Sequence, residues 1–540
     1  YWSHPLMATP NEKLAASLHV LKSLQDKGIQ VIQASEAPEL TRVHRERLQA
    51  AGFLKPVIQG WLLPSNPEEG DGDSTHWYAS MEVFVAAYAN ARFDDKWQLS
   101  PELSLLKHSG HTSVAKQIQL HSPEASNKHQ DLPHGCSLFM YKVKPQTLVG
   151  GRSPGASGLI LVPLPEALIR VSPSFFTGHE LAAQVALRQV DITTLTGLLL
   201  EGGHSVVAGR MAGALRAAGR EADASQLVAT MKAAGYVVSE NNPFERPLAH
   251  IGGRLNESPY VQRMRAMWSS MREEVVQRFE TVPRRQHTEV QELLADIAAR
   301  YVADAYHSLS IEGYRVSIEL IEKVHNGDWS PLTSEEDRKT RDAMAAKGYA
   351  ETHKHLREFI GQVLSSSKSP AVAFKEDFSR WYVALFSPSV TAGILRPRDL
   401  AGYRNSQVFI RNALHVPPGP DAVRDCMPAL MELLQEENHP GVRAVLGHFM
   451  FVFIHPYMDG NGRLSRFLMN YMLTTGGYPW TIVTVQSRSQ YLAALEQAST
   501  YGNIKPFADV ICGLIEAQAA QPIERITQRP DAGDWTKPLT

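Results

Sequence analysis

Cysteine is scarce in this chain: Cys136, Cys426 and Cys512 stand far apart and no two make a CxxC pair. That excludes a disulfide framework and a thiolate zinc site, and it fits buried thiols in a reducing compartment. Long apolar runs are missing too. The most apolar stretch, "VLGHFMFVFI" at 445–454, is too short to span a bilayer. Neither charge is in excess, since 54 Lys and Arg face 56 Asp and Glu for a formal charge of −2. A chain coated by nucleic acid is excluded, though a local basic patch is not. The start, "YWSHPLMATPNEKLAASLHVLK", lacks a basic head followed by an apolar core, so no secretory signal is read there. "YWSHPL" reads as an addition ahead of a natural start at Met7. The expectation is a cytoplasmic protein with no membrane partner.

What is present is the composition of a globular protein, 43% hydrophobic and 20% charged, and 540 residues call for two to four domains. Residues 8–66 begin with Leu14, Leu18, Leu21 and Leu24 at helical spacing, closed by Gly28. A second helix, "TRVHRERLQAAG", starts at Thr41, and "FLKPVIQGWLLP" follows as two β-rich runs around a Gln-Gly turn. Helix, helix and hairpin is the order of a winged helix. Arg42, Arg45 and Arg47 would then meet phosphates, or they are an ordinary solvated face.

Residues 67–240 read as an α/β module, with strands at "SLFMYKVK" (137–144) and "GLILVPL" (158–164) and helices from about 180 to 236. The glycines of "EGGHSVVAGRMAGALRAAGR" are no phosphate loop, because no GK[ST] follows; they point to close helix packing. Residues 241–260 form a linker rich in Pro, Gly and Asn. From 261 to 520 the pattern is helical, and Thr288 with Gln291 makes a capping box. "GYRNSQVFIRNALHVPPGP" (402–420) interrupts it as an expected hairpin. Residues 521–540 read as a disordered tail.

Polar chemistry concentrates in "FIHPYMDGNGRLSRFL", 453–468, between two apolar helices. The loop ends at a helix N-terminus, where free N–H groups and the helix dipole favour anions. Gly460 and Gly462 let the backbone approach a ligand closely. Arg463 and Arg466 share one face of the first turn, which suits a ligand with more than one phosphate. Asp459 adds a carboxylate for Mg²⁺, and His455 is a base able to take a hydroxyl proton. Together they make up what attack by a hydroxyl on a phosphoryl group requires.

"HPYMDGNGRLSR" resembles the signature of Fic-domain proteins, with Tyr457 where phenylalanine is usual, and the likeness extends over about 285–515. It implies a mainly α fold: a Fic-type helical core (about 380–515) with a β-hairpin flap, preceded by the winged-helix region and the α/β module. It also implies transfer of AMP from ATP to a Ser, Thr or Tyr hydroxyl of a protein. By this resemblance His455 is the base and Asp459 holds Mg²⁺. Gly460, Asn461 and Gly462 form the phosphate nest, while Arg463 and Arg466 bind the outer phosphates. Tyr491 and Leu492 bound the adenosine end, and Ser499 stands where some members have asparagine. Val408, Ile410 and His415 lie on the flap that aligns a target's backbone.

Upstream, "HSLSIEGYRVS" resembles the family's inhibitory motif through Ser308, Glu312 and Gly313, at the end of a helix expected over about 288–313. The resemblance implies that Glu312 reaches Arg466 in place of a phosphate. Other readings stay open. One is removal of AMP with Glu312 positioning water, another is transfer of a different phosphoryl-linked group. A third is a DNA-binding, antitoxin-like regulator, since residues 40–64 resemble the winged-helix head of such bacterial proteins. A helical surface of the family kind would also pair two copies.

Overall fold

The structure, a computed structural model, describes residues 9–67, 73–149, 153–154, 157–253, 255, 257–286, 289–326 and 341–519. Met7, the tail and Thr288 of the expected capping box lie outside the described residues. The chain folds as two units. One comprises Tyr1–Leu248 together with Phe409–Val416, the other Ala249–Val408 with Pro417–Thr540. The division after Leu248 falls inside the linker expected at 241–260.

The first unit opens with α1 (Pro10–Asp26), β1 (Ile32–Gln33), α2 (Arg42–Ala50), β2 (Leu54–Ile58) and β3 (Trp61–Pro64). Thr9 and Glu12 cap α1 reciprocally, and the Thr41 hydroxyl accepts from His44 N to start α2. The strands pair antiparallel in the order β1-β3-β2. Leu21, Leu24, Leu40, Leu48, Leu54 and Leu62 close the core beneath them. Two of the three arginines, read as phosphate contacts or as a solvated face, turn inward. Arg45 Nη1 donates to Leu40 O at 3.0 Å, and Arg47 Nη1 donates to Lys13 O and Ser17 Oγ, each at 2.9 Å. Arg42 stays on the surface, paired with Glu46 at 2.7 Å.

The α/β part continues with α3 (Thr75–Phe93), β4 (Gln98–Leu99), α4 (Pro101–His108), β5 (Gln117–Ser122), β6 (Lys128–Asp131), β7 (Ser137–Lys142), β8 (Ser153–Pro154) and β9 (Ile160–Leu161). Its main sheet runs β4-β5-β7-β6, with β5 and β7 parallel. The strand expected at 158–164 shrinks to two residues, because Val162 N is taken by Ser104 Oγ and Leu164 already begins a helix. Six helices follow: α5 (Leu164–Arg170), α6 (Ser174–Gly178), α7 (Glu180–Gln189), α8 (Ile192–Glu201), α9 (Ser205–Ala217) and α10 (Glu221–Ala233). Gly209 and Gly213 on α9 lie so close to the carbonyls of Ser239 and Asn241 that a Cβ at either would collide, which accounts for the small residues there.

The expected hairpin over 402–420 is not formed, which corrects the sequence reading. No strand appears in that stretch, and its pairing comes from residues far away in sequence. Val114 N donates to Leu414 O (2.8 Å) and Val416 N donates to Thr112 O (2.7 Å), bridging Ser113 and His415 antiparallel. Asn412 N meets Thr75 Oγ1 and Arg411 pairs with Asp73 at 3.0 Å. Pro417 and Pro418 offer no N–H groups to extend a local ladder.

The second unit is helical: α11 (Pro259–Phe279), α12 (Val290–Ile311), α13 (Ile318–His325), α14 (Arg341–Leu364), α15 (Pro370–Thr391), α16 (Pro420–Glu436), α17 (Pro440–Ile454), α18 (Asn461–Thr475), α19 (Arg488–Tyr501) and α20 (Lys505–Ala519). α17 and α18 pack on each other, and almost every residue of both is buried: α17 is apolar nearly all round, whereas α18 also buries Asn461, Arg463, Ser465, Arg466 and Asn470. Among the described residues no helix is long and apolar enough to cross a membrane.

Candidate active site

The loop between α17 and α18 is held open by three local devices. His455 caps α17 in the left-handed region, φ 50° and ψ 61°, which is uncommon for a residue with a side chain. Arg404 fixes that turn. Its Nε donates to His455 O at 2.8 Å, its other nitrogens donate to Ser406 O and Pro418 O, and its own N–H donates to Pro456 O. Only 2% of Arg404 is exposed, so it acts as an internal strut. The sequence reading missed it, although an arginine between the aromatic and polar residues of "GYRNS" was the available signal.

Asn461 is the second device. Its side chain bonds both Tyr457 N (3.0 Å) and Tyr457 O (2.8 Å), tying the loop across its neck. The side chain therefore shapes the loop, and only its backbone is left for a nest. Gly460 is the third. With φ +84° it caps α18, and a Cβ there would lie 2.6 Å from Phe386. Tyr457 is buried and stacks on Tyr382 at 3.9 Å, so the hydroxyl variant of the usual ring keeps the packing.

The first turn of α18 already carries an anion. Glu312 caps the end of α12, and its Oε1 accepts from Arg466 Nη2 at 2.7 Å. Ser308 Oγ and O accept two more bonds from Arg466, at 2.9 and 3.1 Å. A Cβ on Gly462 would collide with that same Glu312 oxygen, so the carboxylate lies directly on the helix N-terminus. Burial alone would lower the Arg466 guanidinium pKa, yet Glu312 beside it holds it above its ordinary value.

Asp459 sits opposite. Its Oδ1 takes Gly460 N at 2.6 Å and Arg463 Nη2 at 3.3 Å, and its Oδ2 accepts from Tyr314 Oη at 3.2 Å. Burial would raise this carboxyl, but Arg463 and the Gly460 N–H outweigh it and hold it below its usual range. No group of three or more His, Cys, Asp or Glu gathers for a metal among the described residues. A single half-exposed carboxylate suits an ion that takes its other ligands from phosphate and water. His455 is pushed down to about 4, first by burial and then by the Arg404 charge, while Glu312 and Asp459 pull the other way. Its Nδ1 is buried without a hydrogen-bond partner.

The second unit thus brings together His455, Asp459, Gly460, Gly462, Arg463, Arg466, Ser308, Glu312 and Gly313. It does not leave Tyr491 on a surface: the ring is buried and its hydroxyl meets His448 Nε2 at 2.7 Å, while His448 Nδ1 meets Ser465 O. Tyr491 supports α18 from within, and Leu492 next to it is 41% exposed. Ser499 bonds back to Leu495 O inside α19. Val408 and Ile410 are half-buried, and His415 is buried with Nδ1 on Thr112 Oγ1 at 3.0 Å, inside the first unit.

The model of the Fic/DOC family matches residues 377–473, which hold α17, the loop and most of α18. A protein adenylyltransferase Fic from Nematostella vectensis is 28% identical over 45% of this chain and 54% of its own length. One of the same name from Drosophila mojavensis is 31% identical over 40% of each chain. This chain therefore spans about half the length, or less, of the curated relatives it matches. Among solved structures, Fic-1 from C. elegans aligns with 68% of this chain and 88% of its own at 20% identity and a TM-score of 0.34.

Proposed function

We propose, from the match of the Fic/DOC family model to residues 377–473, that the chain is a protein adenylyltransferase held off by its own Glu312. The substrates are ATP and a protein bearing a Ser, Thr or Tyr hydroxyl. That hydroxyl attacks the α-phosphorus of ATP and gives its proton to His455 Nε2. The bond from the α-phosphorus to the bridging oxygen breaks, and pyrophosphate leaves. Arg463 and Arg466 take the charge of the leaving group, and the N–H groups at the start of α18 cradle it. Asp459 is the residue that would hold Mg²⁺, which supplies charge neutralisation on the phosphates when bound.

His455 suits the role because burial keeps it unprotonated near neutral pH, and an incoming polyanion would strengthen it as a base. A cytoplasmic setting fits three free, buried cysteines.

The observation that carries this reading is the Glu312–Arg466 pair at 2.7 Å on the N-terminus of α18: an anion site filled by the chain's own carboxylate. The test is intact-mass analysis after incubation with ATP and Mg²⁺, wild type beside Glu312→Gly. A gain of one AMP unit, larger in the variant, is expected. Unchanged masses with no pyrophosphate released would end the assignment.

A further inference from the structure

Neither the loop signature nor the Ser308, Glu312 and Gly313 motif gives Tyr314 a role. Gly313, at φ +83°, ends the helical path, and Tyr314 N bonds back to Leu309 O at 3.1 Å. The ring then enters the loop and is 8% exposed. Its hydroxyl stands between opposite charges: Arg463 Nη2 donates to it at 3.1 Å, and it donates to Asp459 Oδ2 at 3.2 Å. The Arg463 guanidinium lies 4.9 Å from the ring centre. Arg341, at the start of α14 and outside the family match, lies 5.0 Å from the same ring and 4.0 Å from Asp459.

We propose that Tyr314 is a second stopper of the nucleotide site, occupying Asp459 and Arg463 as Glu312 occupies Arg466. The inference rests on the reading that Asp459 and Arg463 receive the metal and the phosphates. The two stoppers differ in chemistry. Glu312 supplies the negative charge of a phosphate. The Tyr314 hydroxyl supplies one acceptor and one donor, as a bound water would. Glu312→Gly therefore frees Arg466 alone, and Asp459 Oδ2 stays engaged until Tyr314 swings out. Arg341 holds the ring in place from the solvent side by a cation–π contact.

The test compares wild type, Glu312→Gly, Tyr314→Phe and the double variant by isothermal titration calorimetry of ATP, with Mg²⁺ and with EDTA. Phenylalanine keeps the ring and its packing, which melting temperatures check. In the Glu312→Gly background, Tyr314→Phe is expected to tighten Mg²⁺–ATP about 100-fold, the loss of two charge-assisted hydrogen bonds from the closed state. The gain should shrink without metal, because freeing Asp459 then serves nothing, whereas the gain from Glu312→Gly should be alike in both. Arg341→Ala should give a smaller gain of the same metal-dependent kind. If Glu312→Gly binds Mg²⁺–ATP and adding Tyr314→Phe leaves that Kd unmoved, the second stopper is refuted while the adenylyltransferase reading stands. If no variant binds nucleotide, both fall.

Discussion

Two short stretches of this chain look alike in sequence and differ in what their arginines do. α2 carries Arg42, Arg45 and Arg47 in its opening turns, and α18 carries Arg463 and Arg466 in its first. In α2 the inward arginines donate mainly to backbone carbonyls of Leu40 and Lys13, acceptors that cannot leave unless the chain unfolds. In α18 they donate mainly to the side chains of Glu312, Tyr314 and Asp459, with Ser308 O as the main-chain exception. Side-chain acceptors rotate away. An arginine at a helix start is thus a strut or a ligand site according to the partner it has, and the partner comes from elsewhere in the sequence.

The largest effect expected is on the chemistry that follows once the α18 arginines are free. His455→Ala in the Glu312→Gly background should cut AMP transfer by about 10²- to 10⁴-fold, the usual worth of a general base. Radiolabelled AMP incorporation measures it, with ATP binding retained as the control. Residual transfer at the parent rate would remove His455 from the role and reduce the site to an anion pocket. Next comes the carboxylate paired with Arg466. Glu312→Gly should raise incorporation about 10- to 100-fold, since each 1.4 kcal/mol of ion-pair energy surviving desolvation is tenfold in productive binding. An unaltered rate would place Arg466 with the struts of α2.

Why the loop was legible and the side chains packed against it only half so follows from the same contrast. α17, the loop and α18 are contiguous, so apolar runs, glycines and charges appear in reading order. Glu312 was found through its motif. Tyr314 and Arg404 were not, because each acts across more than fifty residues on atoms that carry no sequence signal of their own, a carboxylate's second oxygen and a backbone carbonyl. The misread hairpin has the same cause. The apolar run Val408–Ile410 stays unpaired, and the pairing in this stretch is that of Leu414–Val416 with Thr112–Val114. Tyr491 matched by position, yet its bond to His448 puts it under the site.

The pH profile gives a smaller, sharper test. An imidazole of ordinary pKa would lose about threefold of its basic form between pH 7 and pH 6. His455, lowered to about 4 by burial and by Arg404, stays unprotonated across that interval. Lowering the pKa moves the acid limb down, so kcat/KM, which reports the free enzyme, should change less than about twofold from this group and fall only as pH nears 4. Removing Glu312, whose charge pulls the imidazole upward, should shift the limb further down and not back. A limb near 6.5 would mean that Arg404 and burial do not govern this histidine.

The smallest effect lies in α2 and decides whether the comparison holds at its other end. Arg47 donates to Lys13 O and Ser17 Oγ, so Arg47→Ala removes two bonds joining α2 to α1, worth about 1–2 kcal/mol together. Hydrogen exchange of the amides in 42–50 of the full chain should quicken accordingly. Arg42→Ala should leave that exchange unchanged, because Arg42 meets only Glu46 on the open surface. If instead Arg47→Ala leaves exchange untouched and lowers salt-dependent DNA retention as much as Arg42→Ala does, these side chains are ligand groups after all. α2 would then share with α18 arginines that wait for phosphates, differing only in which phosphates reach them.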